Sequence, residues 1–219
     1  MAPTLGVALD YAGVGFLAAS GAVAAAERRQ DIVTFLFFGA LTGIGGGTLR
    51  DLLIGAPVFW VHDAGYIVVC AAAAALVWVL RGRGVDPRTL LWLDAVGLCA
   101  YAVVGAAKAS GAGLDAPVCV VMGVLTACFG GVLRDVLAEQ PSVLLRREIY
   151  VTAAILAATV YVALDRLGAP RGLAVAAAVT LGFALRAGAI RFGWSLPQFR
   201  PAAEGGSDQP RGKGRPTRS

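Results

Sequence analysis

Two Arg-Asp pairs, Arg50-Asp51 and Arg134-Asp135, stand inside strongly apolar sequence. A charge deep in a bilayer costs from about 3 kcal/mol upward, so such groups face a cavity or a partner. Read as chemistry, the Asp51 and Asp135 carboxylates draw cations into a vestibule, while Arg50 and Arg134 set a barrier or a latch. Read as structure, each pair is a salt bridge that pins its helix, and the two readings are compatible. Asp10, Asp94 and Lys108 are further charges in apolar surroundings. The two acids suit a pathway, a contact between halves of the molecule, or a partner for a helix N-terminal dipole. Lys108 facing a pore would repel cations and gate them; alternatively its long stem lets the ammonium snorkel to the surface.

Each Arg-Asp pair closes a glycine-rich block. The first is Thr42-Gly-Ile-Gly-Gly-Gly-Thr-Leu-Arg-Asp51 and the second Thr126-Ala-Cys-Phe-Gly-Gly-Val-Leu-Arg-Asp135. One glycine costs a helix about 1 kcal/mol, so Gly43, Gly45, Gly46 and Gly47, and then Gly130 and Gly131, predict a break or sharp kink. Carbonyls freed by such a break are ligands for a partly dehydrated cation, and Thr42 and Thr126 add hydroxyl oxygens. Close packing through small residues is the competing reading of the same glycines.

These blocks belong to a larger repeat. Shifted by 84 positions, residues 9–80 lie on residues 93–164 without a gap, and 22 of the 72 pairs are identical. The matches include Asp10 on Asp94, Gly13 on Gly97, Gly21 on Gly105, Gly39 on Gly123 and Pro57 on Pro141. Lys108 has no mate, because Ala24 occupies its place; Phe129 stands opposite Gly45 as a candidate apolar plug.

The elements that must carry these residues are membrane helices. Of 219 residues, 58% are hydrophobic and only 15% charged, against about 25% charged in a soluble domain. Seven apolar spans are expected: Leu5–Ala26, Ile32–Leu53, Ala64–Leu80, Leu90–Ala109, Ala116–Ala138, Ile149–Leu164 and Gly172–Ile190. The fold is therefore all-α and integral to a membrane, with kinked second and fifth spans. The membrane domain covers residues 5–192, and 202–219 form a disordered basic tail. Each repeat copy holds three spans, an odd number, so the copies enter the bilayer from opposite sides as inverted repeats. Span seven, 172–190, stands outside the repeat.

Loops one, three and five hold Arg28, Arg29, Arg81, Arg83, Arg88, Arg146 and Arg147, and the tail adds more basic residues. Positive residues favour the cytoplasm, which places the N-terminus outside and the C-terminus inside. Arg186 then falls near the cytoplasmic interface. The basic residues form no patch with interleaved aromatics, so the net charge of +5 does not indicate nucleic acid. Cys70, Cys99, Cys119 and Cys128 lie in apolar runs without metal spacing and read as small buried hydrophobes. No phosphate loop, dinucleotide site or nucleophilic triad is present, so an enzyme, a cofactor and a bound metal are not expected.

The residues Gly43–Leu53 and Pro57–Trp60, with Gly130–Val136 in the second copy, resemble the trimeric intracellular cation channel family in its prokaryotic branch. Related bacterial proteins carry a glycine-transporter-like label. The resemblance implies a homotrimer in the bacterial inner (plasma) membrane, with one hourglass pore inside each protomer, permeable to potassium. It implies a pore lined by spans two and five with spans one and four. It places the hinge or constriction at Gly45–Gly47 and Gly130–Gly131, with Arg50, Asp51, Arg134 and Asp135 along the path. Acidic-lipid binding in animal members finds no matching basic motif here, and membrane lipids are the surrounding partner. Inverted repeats also suit a secondary transporter of a small solute such as glycine, which is the alternative to a passive channel.

Overall fold

The computed structural model describes residues 3–81, 88–140 and 149–196. The tail 202–219, the repeat residue Pro141, and Arg83, Arg146 and Arg147 of the basic loops lie outside the described residues. The described chain forms α1 (Pro3–Glu27), α2 (Ile32–Leu53), α3 (Phe59–His62), α4 (Gly65–Arg81), α5 (Thr89–Gly111), α6 (Ala116–Leu137), α7 (Val151–Arg166) and α8 (Arg171–Phe192). Seven of these match the expected spans in order. The four-residue α3 was not expected; it forms because the Phe59 N–H donates to Asp51 Oδ2 at 3.0 Å, which fixes the chain just after Pro57.

Five helices, α1, α2, α5, α6 and α8, are long and apolar enough to cross a membrane. The other two, α4 and α7, have 17 and 16 residues, or about 25 Å at 1.5 Å per residue. Apolar side chains such as Val33, Leu52, Val68 and Val136 point outward and are more than 60% exposed. A surface of this kind suits hydrocarbon and not water.

α1 packs on α5 and α2 on α6 to make the centre; α4 flanks α1 and α2, α7 flanks α5 and α6, and α8 lies against α7 and α5. The ends of the helices repeat at the 84-residue offset. After α2, Ile54 N–H donates to Arg50 O and Ala56 N–H to Asp51 O; after α6, Ala138 and Gln140 do the same to Arg134 and Asp135. Each turn contains one left-handed residue, Gly55 (φ +68°) or its mate Glu139 (φ +49°). At the start of α2, Asp31 accepts from Thr34 N–H at 2.8 Å, a bond that holds its carboxyl below the usual aspartate range.

The expected unwinding at the glycines does not occur. α2 and α6 run as uninterrupted helices through Gly43–Gly47 and Gly130–Gly131, so their carbonyls are not freed as cation ligands. The reason is packing: each glycine is matched by a neighbour that a side chain would displace. What these residues lose in helix propensity is offset by contact.

Candidate functional site

Three successive glycines of α2 do three different jobs because a helix turns about 100° per residue. A Cβ on Gly46 would run into the Thr126 carbonyl, and one on Gly130 would run into the Thr42 carbonyl. This reciprocal contact is the crossing point of α2 and α6. Thr42 and Thr126 are fully buried there, covered by Gly21 and Gly105. Gly47 faces the Phe59 ring, and its mate Gly131 faces the Tyr150 hydroxyl. Gly45 and Phe129 lie on the other side of the crossing, in an apolar cleft of about 390 Å³ shared with Phe37, Leu41, Trp60 and Leu133. Phe129 thus lies on the apolar side of the crossing, away from the charges.

The C-terminal turn of α2 carries the first charge cluster. Arg50 Nε donates to Asp51 Oδ1 at 2.8 Å, and Lys108 Nζ from α5 reaches the same oxygen at 2.8 Å. Both α2 residues are fully buried, whereas the Lys108 side chain is 35% exposed. Lys108 thus neither snorkels freely nor stands alone in a pore, because it is held by Asp51. The Arg50 guanidinium lies 5.6 Å from the centre of the Phe59 ring. Asp10 of α1 accepts from the Tyr66 hydroxyl at 3.0 Å, and the Tyr66 ring stacks on Tyr11 at 4.2 Å. The buried Tyr101 hydroxyl faces Asp10 without closing a hydrogen bond. Asp10 Oδ1, Arg50 Nη1 and the Tyr101 hydroxyl are buried atoms with no partner. Asp10 and Lys108, with Arg171, also line a cleft of about 500 Å³ bounded by the start of α1, the end of α5 and the start of α8.

The second cluster is the counterpart at the end of α6. Arg134 Nε donates to Asp135 Oδ1 at 2.9 Å, and Nη1 donates both to Asp94 Oδ1 at 2.5 Å and to Ser20 Oγ at 3.1 Å. The Ser20 hydroxyl in turn donates to Leu17 O at 2.8 Å. Two carboxylates here face one guanidinium, whereas in the first cluster Asp10 and Asp51 face both Arg50 and Lys108. Beside this end, Arg28 Nη2 donates to the Glu139 carbonyl at 3.1 Å, across a cleft of about 240 Å³ that both residues line with Thr34, Phe38 and Leu137.

The seven charges singled out for the pathway, Asp10, Arg50, Asp51, Asp94, Lys108, Arg134 and Asp135, therefore fall into these two clusters. Asp10 and Asp94 are ligands of the clusters and not free dipole partners. Arg186 is 1% exposed inside the protein, with its guanidinium 5.2 Å over the Tyr150 ring. Ser20, Tyr66, Tyr101 and Tyr150 escaped sequence reasoning. The identity of Tyr66 with Tyr150 at the repeat offset was the available signal; Ser20 faces Val104 in the repeat and carried none. Among the described residues, no three His, Cys, Asp or Glu side chains gather as a metal ion requires. The four cysteines are buried and unpaired.

The model of a family described as "Glycine transporter" matches residues 7–82 and again 91–166, the two copies of the repeat. A UPF0126 membrane protein of Vibrio cholerae is 36% identical over 197 residues, covering 87% of this chain and 81% of the relative. The UPF0126 inner membrane protein YadS of Escherichia coli K12 is 37% identical over 195 residues, covering 87% and 94%. Among solved structures, a trimeric intracellular cation (TRIC) channel orthologue from Rhodobacter sphaeroides superposes with a TM-score of 0.84 at 44% identity, over 87% of this chain and all of that one. A further prokaryotic TRIC channel gives 0.82 at 25% identity, over 88% and 99%. These relatives are membrane proteins and cation channels, not enzymes, and channels of this kind work without a cofactor. By sequence, fold and the two halves of its family match, the chain belongs to the prokaryotic branch of the trimeric intracellular cation channel family.

Proposed function

We propose that this protein is a potassium-permeable channel for monovalent cations, with one pathway inside each protomer. The path runs between α1, α2, α5 and α6, from the cleft at Asp10 and Lys108 to the cluster of Asp94, Arg134 and Asp135. It closes where α2 crosses α6 at Gly46 and Gly130. The observation that carries this reading is the burial of two repeat-related Arg-Asp clusters on either side of one glycine crossing. Charges so placed are costly unless they are paired or serve a hydrated route, and two such clusters in line serve both ends. Along this path Asp10 Oδ1 is the oxygen offered to a cation, while Arg50 Nη1 and the Tyr101 hydroxyl are hydrogen-bonding groups for water.

The same reading has seven helices spanning the membrane as two inverted three-helix repeats, α1–α2–α4 and α5–α6–α7, followed by α8. Support comes from reciprocal contacts: Gly13 meets the Tyr101 ring while its mate Gly97 meets Leu17, the mate of Tyr101. A contact set that maps onto itself when the copies are exchanged belongs to a two-fold relation. The protein assembles as a homotrimer in a bacterial inner membrane, with its N-terminus outside and its C-terminus in the cytoplasm.

Single-channel recording of the purified protein in a planar bilayer under a potassium gradient tests the reading. Discrete steps that reverse near the potassium equilibrium potential are the expected result. The rival is a secondary transporter of glycine, a reading favoured by the description of the matching family. Saturable, ion-coupled glycine uptake into liposomes, without unitary currents, would establish that instead.

A further inference from the structure

Arg186 belongs to α8, the helix without a counterpart in the repeat, yet it reaches into the protein. Gly182, one turn earlier, seats α8 against Ala157, the Ala153 carbonyl and Cys99. That close approach brings the Arg186 guanidinium over the Tyr150 ring and lets Nη1 donate to the Ile149 carbonyl at 3.3 Å. Tyr150 is itself 1% exposed. Its hydroxyl lies alongside Gly131, where Asp94 Oδ1 and Arg134 Nη2 also converge. One aromatic ring thus has the α8 cation on its face and the second charge cluster at its tip.

The first copy solves the same problem differently. Tyr66, the repeat mate of Tyr150, donates to Asp10, and its face is covered by Tyr11 in a parallel stack. The mate of Tyr11 is Ala95, which has no ring to offer. Arg186 fills that vacancy from outside the repeat. Resting on the channel reading above, we propose that Arg186 is a positioning residue for the second cluster. Through its stack on Tyr150 it fixes how Asp94 meets Arg134, and so makes the two ends of the pathway respond unequally to the direction of the applied voltage.

The test is a double-mutant cycle on the full chain, comparing open probability at equal positive and negative voltages in symmetric potassium chloride. Arg186→Met should shift the ratio of the two probabilities by about tenfold, the scale of a desolvated cation–π contact. Arg186→Lys should restore most of it. Tyr150→Phe should shift the ratio too, and Arg186→Met should add nothing in that background. A lowered melting temperature with an unchanged ratio, or independent, additive shifts, overturns the proposal. Where Arg186→Met fails to assemble, Arg186→Gln takes its place in the cycle. A wild-type protein that is silent beside an active control sinks the channel reading instead. The cycle is then read by maleimide labelling of Cys128, a buried thiol of α6 three residues before Gly131, with the other three cysteines changed to alanine. Faster labelling in both single variants and no further gain in the double variant upholds the positioning role; unchanged rates overturn it.

Discussion

Asp51 is the residue on which the first cluster turns. It holds Arg50, Lys108 and the Phe59 N–H at once, so its removal leaves two cations and an amide without their acceptor. Breaking a buried pair from one side costs about 3 kcal/mol or more. Asp51→Asn should therefore lower the melting temperature, and in bilayers it should also reduce cation current, because Lys108 is released into the cleft. Lys108→Met should leave the Arg50–Asp51 pair standing and raise that current. If Asp51→Asn lowers the melting temperature with selectivity and current unchanged, the pair is a structural clasp only. The charged residues were legible in the sequence because a charge in apolar surroundings is conspicuous. Their partners were not, since Tyr66, Tyr101 and Ser20 look ordinary until the fold brings them to Asp10 and Arg134. The inward turn of Arg186 was not legible either, because a position along a helix says nothing of which way the side chain points.

At the scale of the element, the glycine block shows why composition alone was misread. Counting glycines predicts a weak helix; what preserves α2 is that each glycine faces a different neighbour. Neighbouring positions should therefore respond in opposite ways to the same change. Gly46→Ala drives a Cβ into the backbone of α6 and should destabilise by about 1–3 kcal/mol or more, as overpacking does. Gly45→Ala meets only the flexible end of Leu133, at 3.1 Å, and its repeat mate is Phe129. It should be neutral or gain the roughly 1 kcal/mol of helix propensity. Melting temperatures of the two variants in one detergent decide this, and equal losses would remove the crossing-point account. Gly46→Leu and Gly130→Leu go further and should abolish flux.

At the scale of the molecule, the repeat was visible in sequence as an offset of 84 residues, and the structure repeats the same offset in helix-end turns and glycine contacts. What the offset does not encode is how the halves differ, because divergence is written in residues without mates. Orientation is open to direct measurement, since the native cysteines are buried and an added one can be read cleanly. A cysteine placed at Gly212 should react with an impermeant maleimide only from the cytoplasmic side of membrane vesicles. Reaction from the outer side alone would reverse the orientation and turn the end of α2, with the Arg50–Asp51 cluster, toward the cytoplasm.

The two copies complete each other's sites. Lys108, from the second copy, completes the cluster of the first; Ser20, from the first, completes the cluster of the second. Neither residue has an equivalent at the matching position of the other copy. Two identical three-helix units inserted in opposite directions would have both clusters alike. With Lys108 and Ser20 each present in one copy only, neither half carries the full set of contacts for its own cluster. The halves are therefore not interchangeable: two first halves joined together would lack the lysine, and two second halves would lack the serine.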